Sequence, residues 1–156
     1  MTAYKINTKT IARIAAIQVL YQCQLNDDDI DTLVKQTIDF YQDEALFLDL
    51  FDCDIEHKIK IRPHVTYLQK LVKASIENIT SIDQIIIDHL ARDKTTRDLQ
   101  RLLLALLRVA VCERLYFLEI PRKVVINEYT DIASEMLAEC DVGFVNSILD
   151  NITNKM

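Results

Sequence analysis

The chain has 156 residues, half of them hydrophobic, with one glycine, two prolines and no tryptophan. This length suits one domain, residues 1–156, with a substantial core. The scarcity of glycine excludes a glycine-rich phosphate loop and disfavours sheets built on tight hairpins. The net charge of −6 argues against a general affinity for nucleic acid. We therefore predict an all-α fold with short joints.

The charge is distributed unevenly along the chain. Residues 1–25 contain three basic residues and no acidic one, whereas residues 26–56 contain eleven acidic residues and one lysine. The basic residues Lys5, Lys9 and Arg13 recur every four positions, so on a helix they share one face. That face is either an ordinary solvated surface or a surface for an anionic partner.

Apolar residues recur at helical spacing in seven stretches along the chain. The predicted helices are residues 8–25, 30–43, 64–79, 83–90, 99–118, 121–138 and 142–154. Residues 44–63 mix apolar and charged side chains and are either a helical extension or an irregular crossover. Ser81 and Gln84 have the spacing of a capping box at the start of the fourth helix, and Gly143 is placed in the joint before the seventh.

The fifth predicted helix is apolar on every side. Such a helix either crosses a membrane or forms the centre of a bundle. Only six apolar residues separate Arg101 from Arg108, whereas a membrane span needs roughly 20. We therefore predict that this helix is the centre around which the others pack.

The candidates for chemistry are few. The four cysteines lie far apart with no CxxC pair, which favours buried thiols in a reducing compartment. The amino end lacks the pattern of a signal peptide, so we expect a cytoplasmic protein. His57, His64 and His89 do not have metal-ligand spacing, and no serine has a base nearby in the sequence. The acidic residues 27–31 lack the glycine and closing glutamate of a calcium loop. We expect no enzymatic activity, no cofactor and no metal.

Three stretches carry motifs that occur in order along nearly the whole chain. Residues 12–21 read ARIAAIQVLY, residues 107–113 read LRVAVCE and are followed by PRKVVINE at 121–128, and residues 144–150 read FVNSILD. They are similar to ARxxAxQxLY, LRxAxxE with PxxVxINE, and FVNGVLD of the bacterial transcription antitermination factor family NusB. The chain thus resembles that family over most of its length.

The resemblance implies a fold of seven helices, arranged as two three-helix bundles that share a central long helix. It implies binding of boxA, a single-stranded RNA element in ribosomal RNA leader transcripts, as a heterodimer with the small-subunit ribosomal protein NusE. The pair acts on the RNA polymerase elongation complex with other Nus factors, and we expect no membrane partner. The residues that the resemblance places at the RNA are Lys9, Arg13, Phe144 and Asn146. The basic spacing adds Lys5 to the predicted RNA-binding residues, and Tyr21 is added as an aromatic ring that could stack on a base.

The physics of single-stranded RNA recognition is compatible with these residues, because lysine and arginine contact phosphates and aromatic rings stack on bases. Tyr21 and Phe144 could equally pack in the core. The family's run of arginines is reduced here, which predicts weaker RNA affinity and more reliance on the protein partner. Ser147 replaces the usual glycine, which predicts a looser helix contact.

Four polar residues on the two most buried predicted helices, Arg108, Glu113, Asn127 and Glu128, are expected to satisfy one another in an internal network, because a charge buried alone is costly.

Three alternatives remain. The chain could be a helical protein-interaction module with reduced or no specific RNA binding, because its basic face is thin. The same bundle occurs as the RNA-binding domain of a ribosomal RNA methyltransferase, which needs a catalytic domain with a glycine-rich cofactor loop that residues 1–156 do not contain. Self-association as a homodimer also stays open.

Overall fold

The computed structural model describes residues 7–42 and 62–152. Within these ranges it contains seven α-helices, one short 3-10 helix and no strand. The α-helices are α1 Thr8–Leu25, α2 Ile30–Gln42, α3 Val65–Glu77, α4 Ile79–Asp88, α5 Arg101–Tyr116, α6 Arg122–Met136 and α7 Glu139–Asn151. The prediction of an all-α protein with seven helices is confirmed. Residues 44–63, predicted to be a helical extension or an irregular crossover, lie almost wholly outside the described residues.

Helix α5 is the centre of the bundle. It packs against α1, α3, α4, α6 and α7. Helix α1 lies between α2, α3 and α5, and α6 pairs with α7. The buried residues of α5 cover all of its sides: Leu103, Leu104, Ala105, Leu106, Leu107, Val109, Ala110, Val111 and Cys112. The prediction of a central helix is therefore confirmed.

The start of α4 differs from the prediction. The helix begins at Ile79, so Ser81 lies inside it, and Gln84 donates to the Asp88 carboxylate at 2.8 Å rather than reaching back to a cap. The predicted capping box is therefore wrong. Asn78 separates α3 from α4, and its side chain donates to the Ala74 carbonyl at 2.8 Å. A capping box is formed instead by Thr95 and Asp98 at the 3-10 helix Thr96–Asp98.

The position of the only glycine also differs from the prediction. Helix α7 begins at Glu139, where Glu139 and Asp141 in the first turn suit the positive end of the helix dipole. Gly143 therefore lies inside the helix and not in a joint. It is exposed, and a Cβ atom added to it would meet no heavy atom within 4 Å.

Replacing Gly143 should stabilise the protein. Gly143→Ala removes the backbone entropy cost of glycine in a helix without a clash, and we expect the free energy of unfolding in urea to rise by about 0.5–1 kcal/mol. Gly143→Ser should give a smaller gain, because serine is a poorer helix former than alanine. A loss of stability in both variants would contradict the helical placement of Gly143.

The cysteines of the described residues are free thiols. Cys112 is fully buried in α5, Cys23 is half-buried and Cys140 is exposed. Burial, together with the nearby charge of Glu113, raises the pKa of Cys112 to about 11. Cys53 lies outside the described residues. Among the described helices, none is long and apolar enough to cross a membrane.

Alkylation should distinguish these thiols. The thiolate is the nucleophile, so a pKa near 11 leaves about one Cys112 in a thousand reactive at pH 8, even before burial limits access. We expect iodoacetamide to modify Cys140 readily in the native protein and Cys112 only in urea, as measured by peptide mass spectrometry. Equal native labelling of the two residues would show that the core around α5 opens easily.

Candidate nucleic-acid interface

The basic residues at the start of the chain have different environments. Lys5 lies outside the described residues. Lys9 is half-buried in the first turn of α1, and its ammonium lies 5.1 Å from the centre of the Tyr67 ring of α3. The side chain of Asn7 caps α1 by accepting from the Lys9 backbone N–H at 2.9 Å. Lys9 is thus held on the aromatic face of Tyr67 at the edge of the bundle.

Arg13 is buried, with only 2% of its surface exposed. Its Nε and Nη2 atoms each donate to the Glu113 carboxylate at 2.8 Å, and Nη1 lies 3.5 Å from Glu128. The expectation that Arg13 lies on a solvated basic face is therefore wrong. The physical reason is that Glu113 is fully buried in α5, and a buried carboxylate needs a paired cation.

The electrostatics of this cluster keep the ion pair charged. Burial disfavours the charged form of Arg13, but the hydrogen bonds and charge of Glu113 outweigh it, so the pKa of Arg13 is raised. The Tyr129 hydroxyl donates to Glu113 at 2.9 Å. Burial and the Glu113 charge raise the pKa of Tyr129 well above its ordinary value, so the hydroxyl stays protonated and keeps donating.

The predicted internal network is only partly present. Glu113 and Glu128 do share one cluster, but the cation between them is Arg13 of α1. Arg108 instead forms two hydrogen bonds of 2.9 Å to Asp83 of α4, and Asn127 is exposed. The expectation that these four residues satisfy one another is wrong, because α1 and α4 supply the partners.

A signal in the sequence could have located Arg13. The residues three, four and seven positions after it, Ala16, Ile17 and Leu20, are all apolar and share its helix face. All three are buried. A cation on an apolar face predicts a buried ion pair rather than a solvated stripe, and this pattern outweighs the four-residue spacing to Lys9.

The remaining predicted site residues lie at separate places. Tyr21 is half-buried near the carboxyl end of α1, Phe144 is half-buried against the core on α7, and Asn146 is exposed on α7. Twelve residues of helix place Tyr21 about 18 Å along α1 from Lys9. Among the described residues, no hydrogen bond, ion pair or ring contact joins Lys9, Tyr21 and Phe144 to one another. Any ligand that touches all of them must be extended.

The histidines that the structure describes have local structural partners. His64 caps α3, where its Nδ1 accepts from the Tyr67 backbone N–H at 3.1 Å. The Nδ1 of His89 is 2.8 Å from the Ile85 carbonyl, so it donates. In residues 7–42 and 62–152, no three histidine, cysteine or acidic side chains come together as metal ligands. His57 lies outside these residues.

In the described residues, the protein is an all-α bundle with a buried ion-pair cluster. Its predicted RNA-binding residues lie at separate places on the bundle. The model of the NusB family matches residues 10–154. A transcription antitermination protein NusB of Rickettsia bellii is 47% identical over 156 residues, covering 99% of this chain and 96% of the relative. That of Rickettsia massiliae is 46% identical, covering 99% and 97%. The chain belongs to the NusB family.

Solved structures agree on the fold. NusB of T. maritima superposes with a TM-score of 0.69 at 24% identity, covering 91% of this chain and 87% of that one. A crystal structure of the antitermination factors NusB and NusE in complex with dsRNA matches with a TM-score of 0.66 at 24% identity, covering 92% and 93%. At this identity, these structures show a common bundle.

The two basic residues of α1 should differ in their effect on stability. Arg13→Ala leaves the Glu113 carboxylate buried without its cation, so we expect the free energy of unfolding to fall by about 3–5 kcal/mol. Lys9→Ala removes one cation–π contact at the edge of the bundle and should cost less than about 1 kcal/mol. Urea denaturation followed by circular dichroism measures both. Similar losses for the two variants would contradict the assignment of Arg13 to the core.

Proposed function

We propose that this protein is a transcription antitermination factor. It binds boxA-type single-stranded RNA of ribosomal RNA leader transcripts as a heterodimer with the ribosomal protein NusE, on the elongating RNA polymerase with other Nus factors, in the cytoplasm. The observation that carries this proposal is the 47% identity, over 99% of the chain, to a transcription antitermination protein. Such similarity along the full length makes a shared role the simplest explanation.

The choice of partners has separate support. A structure with the same fold contains NusB together with NusE and RNA. The RNA in that complex is double-stranded, whereas we propose a single-stranded ligand here, because unstacked bases are what aromatic side chains can contact. We expect Lys5, Lys9, Tyr21, Phe144 and Asn146 to contact the RNA.

Arg13 needs a different role within the proposal. A guanidinium that is 2% exposed and bonded to two carboxylates is not available to a phosphate. We infer that Arg13 supports RNA binding by fixing α1 against α5, and that Lys9 is the phosphate contact on the described part of this helix. The loss of Arg13 from the three predicted basic contacts makes the protein partner more important for affinity.

A second candidate function is a helical interaction module that binds protein partners and no specific RNA. The observations that favour it are the net charge of −6 and the removal of Arg13 from the surface. The two functions differ in whether neutralising Lys9 changes RNA affinity, so one titration can separate them.

The test is a fluorescence-anisotropy titration of a labelled boxA-like RNA with the protein alone and with NusE, at two salt concentrations. We expect tighter binding with NusE, preference over a scrambled RNA and over the duplexed form, and weaker binding by Lys9→Ala. The salt dependence should be shallow, and the loss of one phosphate contact should reduce its slope by about 0.7.

The matched control is Lys73→Ala. Lys73 is exposed on α3 and lies 4.0 Å from Glu77, so this variant removes the same charge from another face. It should bind RNA as the wild type does. Equal binding of the scrambled RNA, or no effect of NusE, would reject specific RNA recognition and favour the interaction module. Size-exclusion chromatography of the protein alone tests self-association in the same samples.

A further inference from the structure

A groove between α1 and α2 contains an unusual set of side chains. Its volume is about 410 Å³, and it is lined by Gln18, Tyr21, Gln22, Gln36, Phe40 and Leu102. Three uncharged amides and two aromatic rings thus surround one opening. Pockets that hold small ligands typically have volumes of about 300–1,000 Å³, with apolar walls and a few polar groups.

The orientation of one amide is fixed by a neighbour. The oxygen of Gln18 accepts a hydrogen bond from the Tyr41 hydroxyl of α2 at 3.2 Å. Its NH2 group has no hydrogen-bond partner in the part of the chain that the structure describes, so two N–H donors remain for a ligand. The hydroxyl of Thr37, which also lines the groove, donates to the Leu33 carbonyl at 2.9 Å and is already satisfied. The groove therefore has oriented polar groups together with aromatic walls.

The floor of the groove is also fixed. The side chain of Gln24 donates to the Arg101 carbonyl at 2.9 Å, which joins the end of α1 to the start of α5 beside Leu102. The Arg101 side chain is exposed. Arg101 directly precedes Leu102, which lines the groove.

The lining of the groove selects what can enter it. None of its described lining residues is charged, so the groove itself offers no cation to a phosphate. A nucleobase is neutral, flat and edged with donors and acceptors, so amide side chains can hydrogen-bond its edge and aromatic rings can stack on its face.

We propose that this groove is a pocket for one unstacked base of the bound RNA, with Gln18 and Gln36 contacting its edge, Phe40 and Tyr21 its faces, and Arg101 the adjoining phosphate. This inference rests on the proposed RNA-binding function and assigns a base contact to α2, which lies outside the motifs that indicated RNA binding. Bound at this end of α1, the RNA extends along the helix from Lys9.

The neighbouring groove between α2 and α3 provides a contrast. Its volume is about 730 Å³, and its lining combines aliphatic side chains with charges of both signs, Asp31, Lys35, Lys73 and Glu77, and one amide, Gln69. None of its described lining residues has an aromatic ring on which a base could stack. Gln69→Ala is therefore a matched control for the glutamines of the first groove.

The experiment scans the boxA-like RNA with single abasic positions, using the protein in complex with NusE. We expect one position at which removal of the base weakens binding about 10-fold, as for a base stacked on an aromatic ring. Gln36→Ala and Phe40→Ala should weaken binding of the intact RNA by several-fold and should have no further effect on the RNA that lacks this base. Gln36 is exposed, so its replacement tests the groove without risk to the fold.

The outcomes separate this inference from the proposed function. If the wild-type complex binds no RNA, both fail. If it binds RNA but the Gln36 and Phe40 variants bind like Gln69→Ala, or lose the same affinity for every abasic RNA, the base pocket is rejected and RNA binding stands. If the two variants lose affinity for NusE instead, the groove is a protein interface and the base pocket is again rejected.

Discussion

The ion pair between Arg13 and Glu113 is the constraint on which the rest of this structure depends. Glu113 lies in the central helix with no exposed surface, and Arg13 approaches it from α1 with two hydrogen bonds of 2.8 Å. Tyr129 of α6 donates to the same carboxylate, and Glu128 of α6 lies within ion-pair distance of the same guanidinium. Three helices therefore meet at one charged group, and separating α1 from α5 would leave a buried charge unpaired.

This arrangement determines what is available at the surface. A chain with few basic residues in its first helix commits one of them to the core, and both the buried and the outer cation lie near the ring of Tyr67. Arg13 lies 5.6 Å from the centre of this ring and Lys9 lies 5.1 Å from it. The aromatic face can attract both cations because its π-electron density is negative. Under the proposed function, the electrostatic contribution to RNA affinity is therefore expected to be small, and uncharged contacts and the protein partner are expected to supply the specificity.

The sequence predicted the helices whose limits are set by strong local signals. Helix α1 begins and ends where predicted, because an apolar pattern runs between a capping asparagine and a run of aspartates. The central helix was identified from its leucines and alanines alone. The starts of α4 and α7 were misplaced, because in both cases the helix extends toward its amino end past a residue that locally signals a boundary, Ser81 or Gly143. Their partners in the bundle determine where these helices begin.

The site was less predictable than the fold, because pairing across the bundle depends on distance in space. The spacing of Lys9 and Arg13 suggested one surface, but Glu113, one hundred residues later, places Arg13 inside. Sequence reasoning suggested Tyr21 as a stacking residue but gave no indication of Gln36 or Phe40, which belong to a helix outside the motifs. Their association with Tyr21 becomes visible only when α1 and α2 are packed together.

Helix α1 is held in place by contacts at both of its ends and in its middle. Its first turn is tied to α3 through the Thr8 carbonyl, which accepts from the His64 backbone N–H at 3.0 Å, and its last turn is tied to α5 through Gln24. Arg13 fixes the middle of the helix to the core. A helix held at both ends and in the middle presents Lys9 and Tyr21 at a constant separation of about 18 Å. Under the proposed function, an extended RNA strand would gain affinity from few contacts, because the protein would not have to order these groups on binding. The buried arginine would then contribute to recognition by fixing the helix on which the proposed contacts lie.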